Sequence, residues 1–408
     1  MHPLKTPNSC YYCLSSPTNL LSGRKLRVAV VGGGPAGSSG AEALASGGIE
    51  TFLFERSTSI AKPCGGAIPL CMLDEFSLPL YLIDRHVTRM KIISPSNLTV
   101  DFGSKTLKPH ESIPMLRREV LDSFLRSRAQ SSGAHLIPAL VTHLEVPSSS
   151  TEPYIIHHTS NNTKRTLAVD VIIGADGANS RVAKSIKAGN YTCAIAFQER
   201  IRLPEEKMEY YQNLAEMYVG NDVSPDFYAW VFPKCDHVAV GTGTVCSKPD
   251  IKVYQRGIRE RVSHKINGGK VIKVEAHPIP EHPRPTRVRG RVALVGDAAG
   301  YVTKCSGEVR KNVRRGDSEG LGGRGKDARE ALVEICGDEY VQRMTFDSYL
   351  YKKLANGDRW EDVKMVLNTI GSLVRCRIVE REMEALKVNE ASKSNHLPIA
   401  SAVSFLTW

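Results

Sequence analysis

Three glycines at positions 32, 34 and 37 stand at G-x-G-x-x-G spacing directly behind the β-branched run of residues 26–31, an arrangement that suits the cradling of a pyrophosphate. Gly32 permits a tight turn, Gly34 lets backbone approach the anion, and Gly37 lets the following helix pack closely on the strand. The unpaired N–H groups at the helix start attract negative charge. Residues 49–54 read as a return strand ending at Glu55, whose carboxylate can accept hydrogen bonds from a ribose 2′-hydroxyl. Strand, turn, helix, strand and acid agree, which a lone glycine motif does not provide. The acid fits an adenosine ribose without a 2′-phosphate, that of FAD or of NAD, and does not choose between them.

Further along, the loop STSIAKPCGGAIP places Cys64 before Gly65 and Gly66, a pair that lets backbone approach a flat ligand. Arg117 and Arg118 open an amphipathic stretch, residues 115–128, where a cation is unfavourable unless an anion is near. Asp176 and Gly177, and again Gly296 and Asp297, follow apolar strands and place a carboxylate at a turn. In YAWVFP, Tyr228, Trp230 and Phe232 alternate and so share one face of a strand that ends at Pro233, with Gly241 and Gly243 eight and ten residues beyond. Such a face can line an apolar slot; it can equally be sheet core.

The elements that must position these residues form two sets. Buried parallel strands are expected at 26–31, 49–54 and 289–296, with strands also at 135–146, 154–158 and 166–173. Residues 90–94 and 98–102 flank Pro95, Ser96 and Asn97 as an antiparallel hairpin, and alternation through residues 191–285 predicts a mostly antiparallel sheet. The fold class is therefore α/β (α+β, two-domain): a Rossmann-type nucleotide domain with an inserted, mainly antiparallel sheet and a C-terminal helical region. The nucleotide domain takes residues 26–84, 113–185 and 286–308, and the inserted domain takes 85–112 and 186–285. Residues 309–325 hold five glycines and five basic residues with no apolar periodicity, 326–388 regain helical patterning, and 389–408 read as a tail.

A chain of 408 residues can bury a large core. Its net charge of +11 is concentrated at residues 1–27, which hold four basic residues and no acid, and at 309–325, so the body is no nucleic-acid platform. Residues 1–25 read as a transit-peptide remnant or as a disordered leader. Ten cysteines show no disulfide framework, and Cys10 and Cys13 lack the second ligand pair of a zinc site, so no metal is expected. No apolar run has the length of a membrane span, so membrane association would be peripheral.

Taken in order, the glycine motif with Glu55, the R-x-x-L-D of Arg118 to Asp122, Asp176–Gly177 and Gly296–Asp297 resemble the signatures of the p-hydroxybenzoate hydroxylase-like FAD flavoproteins. More narrowly, KPCGG at 62–66 and YAWVFP with Gly241 and Gly243 are similar to the plant and cyanobacterial geranylgeranyl reductases. The resemblance implies FAD with its adenosine end at Glu55 and Arg56, its pyrophosphate over Gly32, Gly34 and Gly37, and further contacts at Gly65, Gly66, Arg118, Asp176, Gly296, Asp297 and Gly307. It implies a substrate site at Tyr228, Trp230, Phe232, Pro233, Gly241 and Gly243, with Cys64 and Tyr228 as candidate proton donors. The implied reaction uses NADPH to reduce isolated double bonds of geranylgeranyl diphosphate or geranylgeranylated chlorophyll to phytyl, for chlorophyll and tocopherol synthesis. It also implies a plastid location, peripheral to the thylakoid or envelope membrane, with a membrane-anchoring protein as a partner.

The sequence departs from that pattern where Val309 and the basic run follow Ser306, Gly307 and Glu308 in place of a further glycine and an apolar helix. Weaker FAD retention than in an intact relative is expected. Two other readings share these motifs: an FAD-dependent aromatic hydroxylase, and a catalytically impaired paralogue that binds prenyl lipid or protein.

Overall fold

The computed structural model describes residues 26–59, 62–68, 72–73, 76–102, 112–149 and 151–301. The leader, the Cys10–Cys13 pair, Gly307, residues 309–325 and the helices expected between 326 and 388 lie outside them.

The first unit is built on a six-stranded sheet whose order is Val288–Arg289, Val292–Leu294, Val171–Gly174, Arg27–Val31, Glu50–Glu55 and His135–Pro138. All neighbours run parallel except the terminal hairpin of Val288–Arg289 with Val292–Leu294. Arg27–Val31 is central and buried, as its continuous apolar character requires. The helices Pro35–Ser46 and Arg118–Ser131 cover one face, where Val30, Leu53, Ala41 and Ala129 meet. The other face packs Ala29, Val31 and Phe54 against a three-stranded antiparallel sheet of Leu140–Glu145, Tyr154–Ser160 and Thr163–Val169.

Two stretches expected to be single strands are divided. Residues 135–146 break at Ala139 after Pro138, so His135–Pro138 joins the parallel sheet and Leu140–Glu145 the antiparallel one. Residues 166–173 break at Asp170, a buried carboxylate that accepts the Arg27 N–H at 2.8 Å and so fixes the point where the chain changes sheet. The helix expected from 115 begins instead at Arg118, because Met115 belongs to the strand Ile113–Met115 paired with Arg85–Val87.

The second unit is a seven-stranded sheet in the order Lys270–Pro280, Cys193–Arg202, His237–Thr244, Ser224–Pro233, Leu214–Gly220, Arg89–Ile93 and Thr99–Phe102. It is antiparallel except between Leu214–Gly220 and Arg89–Ile93. The expected hairpin is its edge, turned at Asn97 with φ +61°. Ala229, Val231, Val238 and Val240 face the helix Ile251–Arg261 through Ile258. Tyr228, Trp230 and Phe232 face the opposite way, among Met90, Ile92, Met115 and Met217. No helix among the described residues is long and apolar enough to cross a membrane.

Candidate active site

The glycine turn is built as its spacing requires, and each glycine answers to a different constraint. Gly32 has φ +109°, and a Cβ there would stand 2.2 Å from the Ala175 carbonyl oxygen. A Cβ on Gly37 would stand 1.8 Å from the Gly32 oxygen, so the helix lies directly on the turn. Above Gly34 the nearest group is the Arg118 guanidinium, 3.7 Å from where a Cβ would be, an ordinary contact. The fold therefore does not require glycine at 34, and its bare backbone leaves room for a ligand to approach. The helix Pro35–Ser46 has neither a side-chain cap nor an acid in its first turn, which leaves its positive end for an anion.

Glu55 is held ready at the end of its strand: its carboxylate accepts the N–H of Gly33 at 2.7 Å and that of Ser57 at 2.9 Å. Arg56 is exposed beside it. The buried Arg126 ties the turn to the loop after Glu55, donating to the Gly33 carbonyl at 3.1 Å and to that of Thr58 at 2.9 Å. Sequence reasoning missed Arg126, since an arginine eight residues into a helix looks like a solvated face.

The anions expected near Arg117 and Arg118 are the protein's own. Arg117 pairs with Asp84 at 2.9 Å, and buried Arg118 forms a two-point bond to Asp122 at 2.7 and 3.0 Å. Asp176 caps the short helix Arg181–Ser185, accepting from Ser180, from the Arg181 N–H at 2.7 Å and from that of Val182 at 3.2 Å. Burial pushes its carboxyl up despite those bonds. The Asp176 backbone, rather than its carboxylate, closes on Gly32.

Gly296, with φ +57°, and Asp297 begin a 3-10 turn opposite the glycine loop, where a Cβ on Gly296 would stand 2.9 Å from Ala36. Asp297 is buried and bonded by Lys62 of the KPCGG loop. Burial alone would raise its carboxyl, but the Lys62 ammonium holds it below the ordinary value, helped by His277 and Arg118. A line of alternating charge thus runs from Arg118, beside Gly34, through Asp297 to Lys62.

That line ends in a narrow cleft of about 40 Å³, where two sequence-distant motifs meet. Lys62, Pro63, Cys64 and Gly65 form one wall. Tyr228, Trp230 and Phe232 form another, with Phe227, Gln198 and His277 between. Pro233 ends the aromatic strand beyond the cleft. The glycines after it have a packing cause. A Cβ on Gly241 would meet the Trp230 ring at 2.4 Å, and one on Gly243 would meet the Phe227 ring at 2.9 Å, so the aromatic rings lie across bare backbone. Gly66 has φ +101°, and a Cβ there would stand 2.5 Å from Lys234 Cε. Cys64 is buried; its Sγ accepts the Gly66 N–H at 3.2 Å. Its carbonyl accepts from Lys234 at 2.8 Å and from Gln198 at 3.3 Å.

Three polar atoms in this mainly apolar cleft have no hydrogen-bond partner: Trp230 Nε1, Gln198 Oε1 and His277 Nε2. Burial, and then the charge of Lys62, lowers His277 to about 4, so the ring is neutral at pH 7. Buried polar groups are ordinarily satisfied, so these three mark where a ligand or an ordered water completes the site. Gln198, Lys234 and His277 escaped sequence reasoning because no motif spacing links them to Cys64. Lys234 carried one unused signal, its place directly after YAWVFP.

Fold and cleft together define the class: a Rossmann-type unit beside a separate antiparallel sheet whose aromatic face lines a mainly apolar cleft. A family model described as the geranylgeranyl reductase catalytic domain matches residues 193–277, which contain the aromatic strand and both glycines. The chain is 57% identical to the chloroplastic geranylgeranyl diphosphate reductase of Nicotiana tabacum, over 92% of this chain and 91% of that protein. It is 54% identical to the geranylgeranyl diphosphate reductase of Synechocystis, over 86% of this chain and 98% of that protein. A solved geranylgeranyl bacteriochlorophyll reductase-like protein of Thermoplasma acidophilum shares the fold, with a TM-score of 0.62 at 20% identity, covering 90% of this chain and all of that one. The chain belongs to the geranylgeranyl diphosphate reductase family. The tobacco alignment runs over 424 positions, more than the 408 residues of this chain, so the relative holds internal residues with no counterpart here.

Proposed function

We propose that this chain is an FAD-dependent reductase that saturates isolated double bonds of a geranylgeranyl group to give phytyl, with NADPH as reductant. The observation that carries this reading is the single cleft in which the Cys64 loop, running up from Asp297 and the glycine turn, faces Tyr228, Trp230 and Phe232. Family membership favours it over the aromatic hydroxylase.

The residues fit FAD. Gly32, Gly34, Gly37 and the helix start receive a pyrophosphate, and Glu55 beside Arg56 offers an acceptor to the adenosine ribose. Arg118, Asp176, Gly296 and Asp297 surround the middle of the cofactor path, and Gly65 and Gly66 let the loop approach a flat ring. When bound, FAD supplies the hydride. The chain's own part is to hold the alkene, exclude water and deliver a proton to the second carbon. Cys64 is placed for that delivery: the Gly66 N–H pointing at its sulfur stabilises the negative charge left when the proton departs. Tyr228 lines the same cleft and is the other candidate donor.

The names of the relatives support geranylgeranyl diphosphate as substrate and a plastid as the site of action; the same group carried on chlorophyll is the alternative substrate of this reading. Attachment to the thylakoid or envelope surface through an anchoring protein follows from a lipid substrate. Anaerobic incubation with NADPH and geranylgeranyl diphosphate tests the reading. Flavin bleaching should accompany a product heavier by one hydrogen molecule per reduced bond, and bleaching without such a product would sink it. The residues missing relative to tobacco favour one second reading, an impaired paralogue with weak FAD retention. Purified protein that keeps stoichiometric flavin would remove that reading.

A further inference from the structure

Lys234 is among the largest fully buried side chains of the protein, with no solvent exposure. Its backbone is fixed from two directions. The Arg85 guanidinium donates to the Lys234 and Cys235 carbonyls at 2.6 Å each, and the Lys234 N–H donates to the His237 carbonyl at 2.8 Å. Its Cε runs against Gly66, which has no side chain to obstruct it. The ammonium ends on the Cys64 carbonyl at 2.8 Å.

No carboxylate among the described residues pairs with Lys234, and this sets it apart. Lys265 pairs with buried Glu216 at 2.7 Å, Lys273 with Glu275 at 2.6 Å, and Lys62 with Asp297. Glu119 and Glu275 are near enough to act through space, but Arg200 bridges them, at 2.7 and 3.0 Å. Nor does the Cys64 carbonyl need an ammonium, since Gln198 also donates to it. Burial lowers the Lys234 ammonium below its ordinary value, with Cys64 acting in the opposite direction; a buried cation without a paired anion is costly and calls for a use. The neighbour that can become an anion is Cys64.

We infer that Lys234 is a positioning residue whose amino group, held on the Cys64 carbonyl, pins the Cys64 loop and in its charged form stabilises the thiolate formed during turnover. The inference rests on the reading of Cys64 as proton donor. FAD, when bound and reduced, would supply the hydride to one alkene carbon; the part of Cys64 would be to break its S–H bond and give that proton to the other carbon. The electron pair would stay on sulfur, which already accepts the Gly66 N–H, until solvent returns a proton. Lys234 touches neither substrate nor cofactor in this scheme; it acts through the loop it pins.

The test compares the parent enzyme with Lys234→Met, which keeps the stem's bulk and removes the charge. Single-turnover reduction of geranylgeranyl diphosphate by the pre-reduced enzyme should slow at least tenfold in Lys234→Met, with a larger solvent deuterium isotope effect. FAD affinity and the rate of flavin reduction by NADPH should stay within twofold of the parent. In a Cys64→Ser background, Lys234→Met should add no further slowing. An unchanged turnover rate and isotope effect, or additive slowing in the Cys64→Ser background, would overturn the inference. If Lys234→Met does not fold, Lys234→Gln takes its place; failure of both to fold or to hold FAD assigns Lys234 to the architecture and overturns it equally. A parent enzyme that bleaches without reducing the prenyl chain defeats the reductase reading itself, a separate result.

Discussion

Gly241→Ala is a sharp test of how the substrate cleft is built. Gly241 lies on a central strand, opposite Trp230 on one side and Gln198 on the other, so a new methyl cannot escape sideways. Its Cβ would stand 2.4 Å from Trp230 Cζ2, 2.6 Å from the Phe197 carbonyl oxygen and 2.7 Å from Gln198 Cβ. Ordinary carbon contacts lie at roughly 3.5–4.0 Å, so the indole must retreat by about 1 Å or more and the strand pair must open slightly. Along its own strand Trp230 is flanked by the Tyr228 and Phe232 rings, with centroids 5.9 and 6.4 Å away, so the open direction is the cleft. Overpacking of this kind costs about 1–3 kcal/mol. Urea unfolding should show that loss, and calorimetry should show geranylgeranyl diphosphate binding at least tenfold weaker, with FAD affinity within twofold of the parent. Adding Trp230→Phe removes Cζ2 and should recover about 0.5 kcal/mol or more as coupling in a double-mutant cycle. An unchanged unfolding midpoint with unchanged prenyl affinity would refute the steric account, and an equal loss of FAD affinity would show that the two sites are not separable.

Other outcomes follow from the same geometry. Gly34→Ala should cost under about 1 kcal/mol of stability, as a changed helix cap does, yet weaken FAD at least tenfold by fluorescence titration; Gly37→Ala, with its Cβ 1.8 Å from the Gly32 oxygen, should fail to fold. Arg126→Met should loosen FAD while leaving prenyl affinity unchanged, because Arg126 ties Gly33 to Thr58 and does not reach the cleft. Gly40→Ala, at a helical position where a Cβ meets nothing within 4 Å, should stabilise the protein by about 0.5–1 kcal/mol in the same urea assay. Because the folded state holds His277 near 4, below its unfolded value, the unfolded chain binds the extra proton first, and stability should fall as pH drops from about 6.5 towards 4. Denaturation midpoints across that window should flatten in His277→Gln, and an unaltered slope would place the titration elsewhere.

The glycine turn, Glu55 and the flanking strands were legible because they are local: φ > 0 at Gly32 and close contact at Gly37 leave a residue-type signature within thirty residues. The alternation of Tyr228, Trp230 and Phe232 was legible for the same reason, since a strand's period of two assigns them one face without reference to the rest of the chain. The errors arose where one stretch serves two sheets. Pattern alone joined residues 135–146 and 166–173, whereas Pro138 and the bond from Arg27 to Asp170 break them. Arg118 showed that a cation was out of place at a helix start, but not that Asp122, one turn later, was its partner.

By itself, then, the sequence determined that a dinucleotide turn and an apolar aromatic strand exist, because both are written in backbone conformation and short-range spacing. Only the tertiary structure decided that the Cys64 loop and the aromatic strand line one cleft, tied through Lys62 to Asp297. Lys62 reaches 235 residues along the chain to Asp297, and Lys234 reaches back 170 residues to Cys64. Such contacts depend on how two sheets are set against each other, and no local periodicity records that. The same holds for the burial that makes Lys234 costly and His277 neutral: a side chain's charge state is fixed by what surrounds it in space, and that environment exists only once the chain has folded.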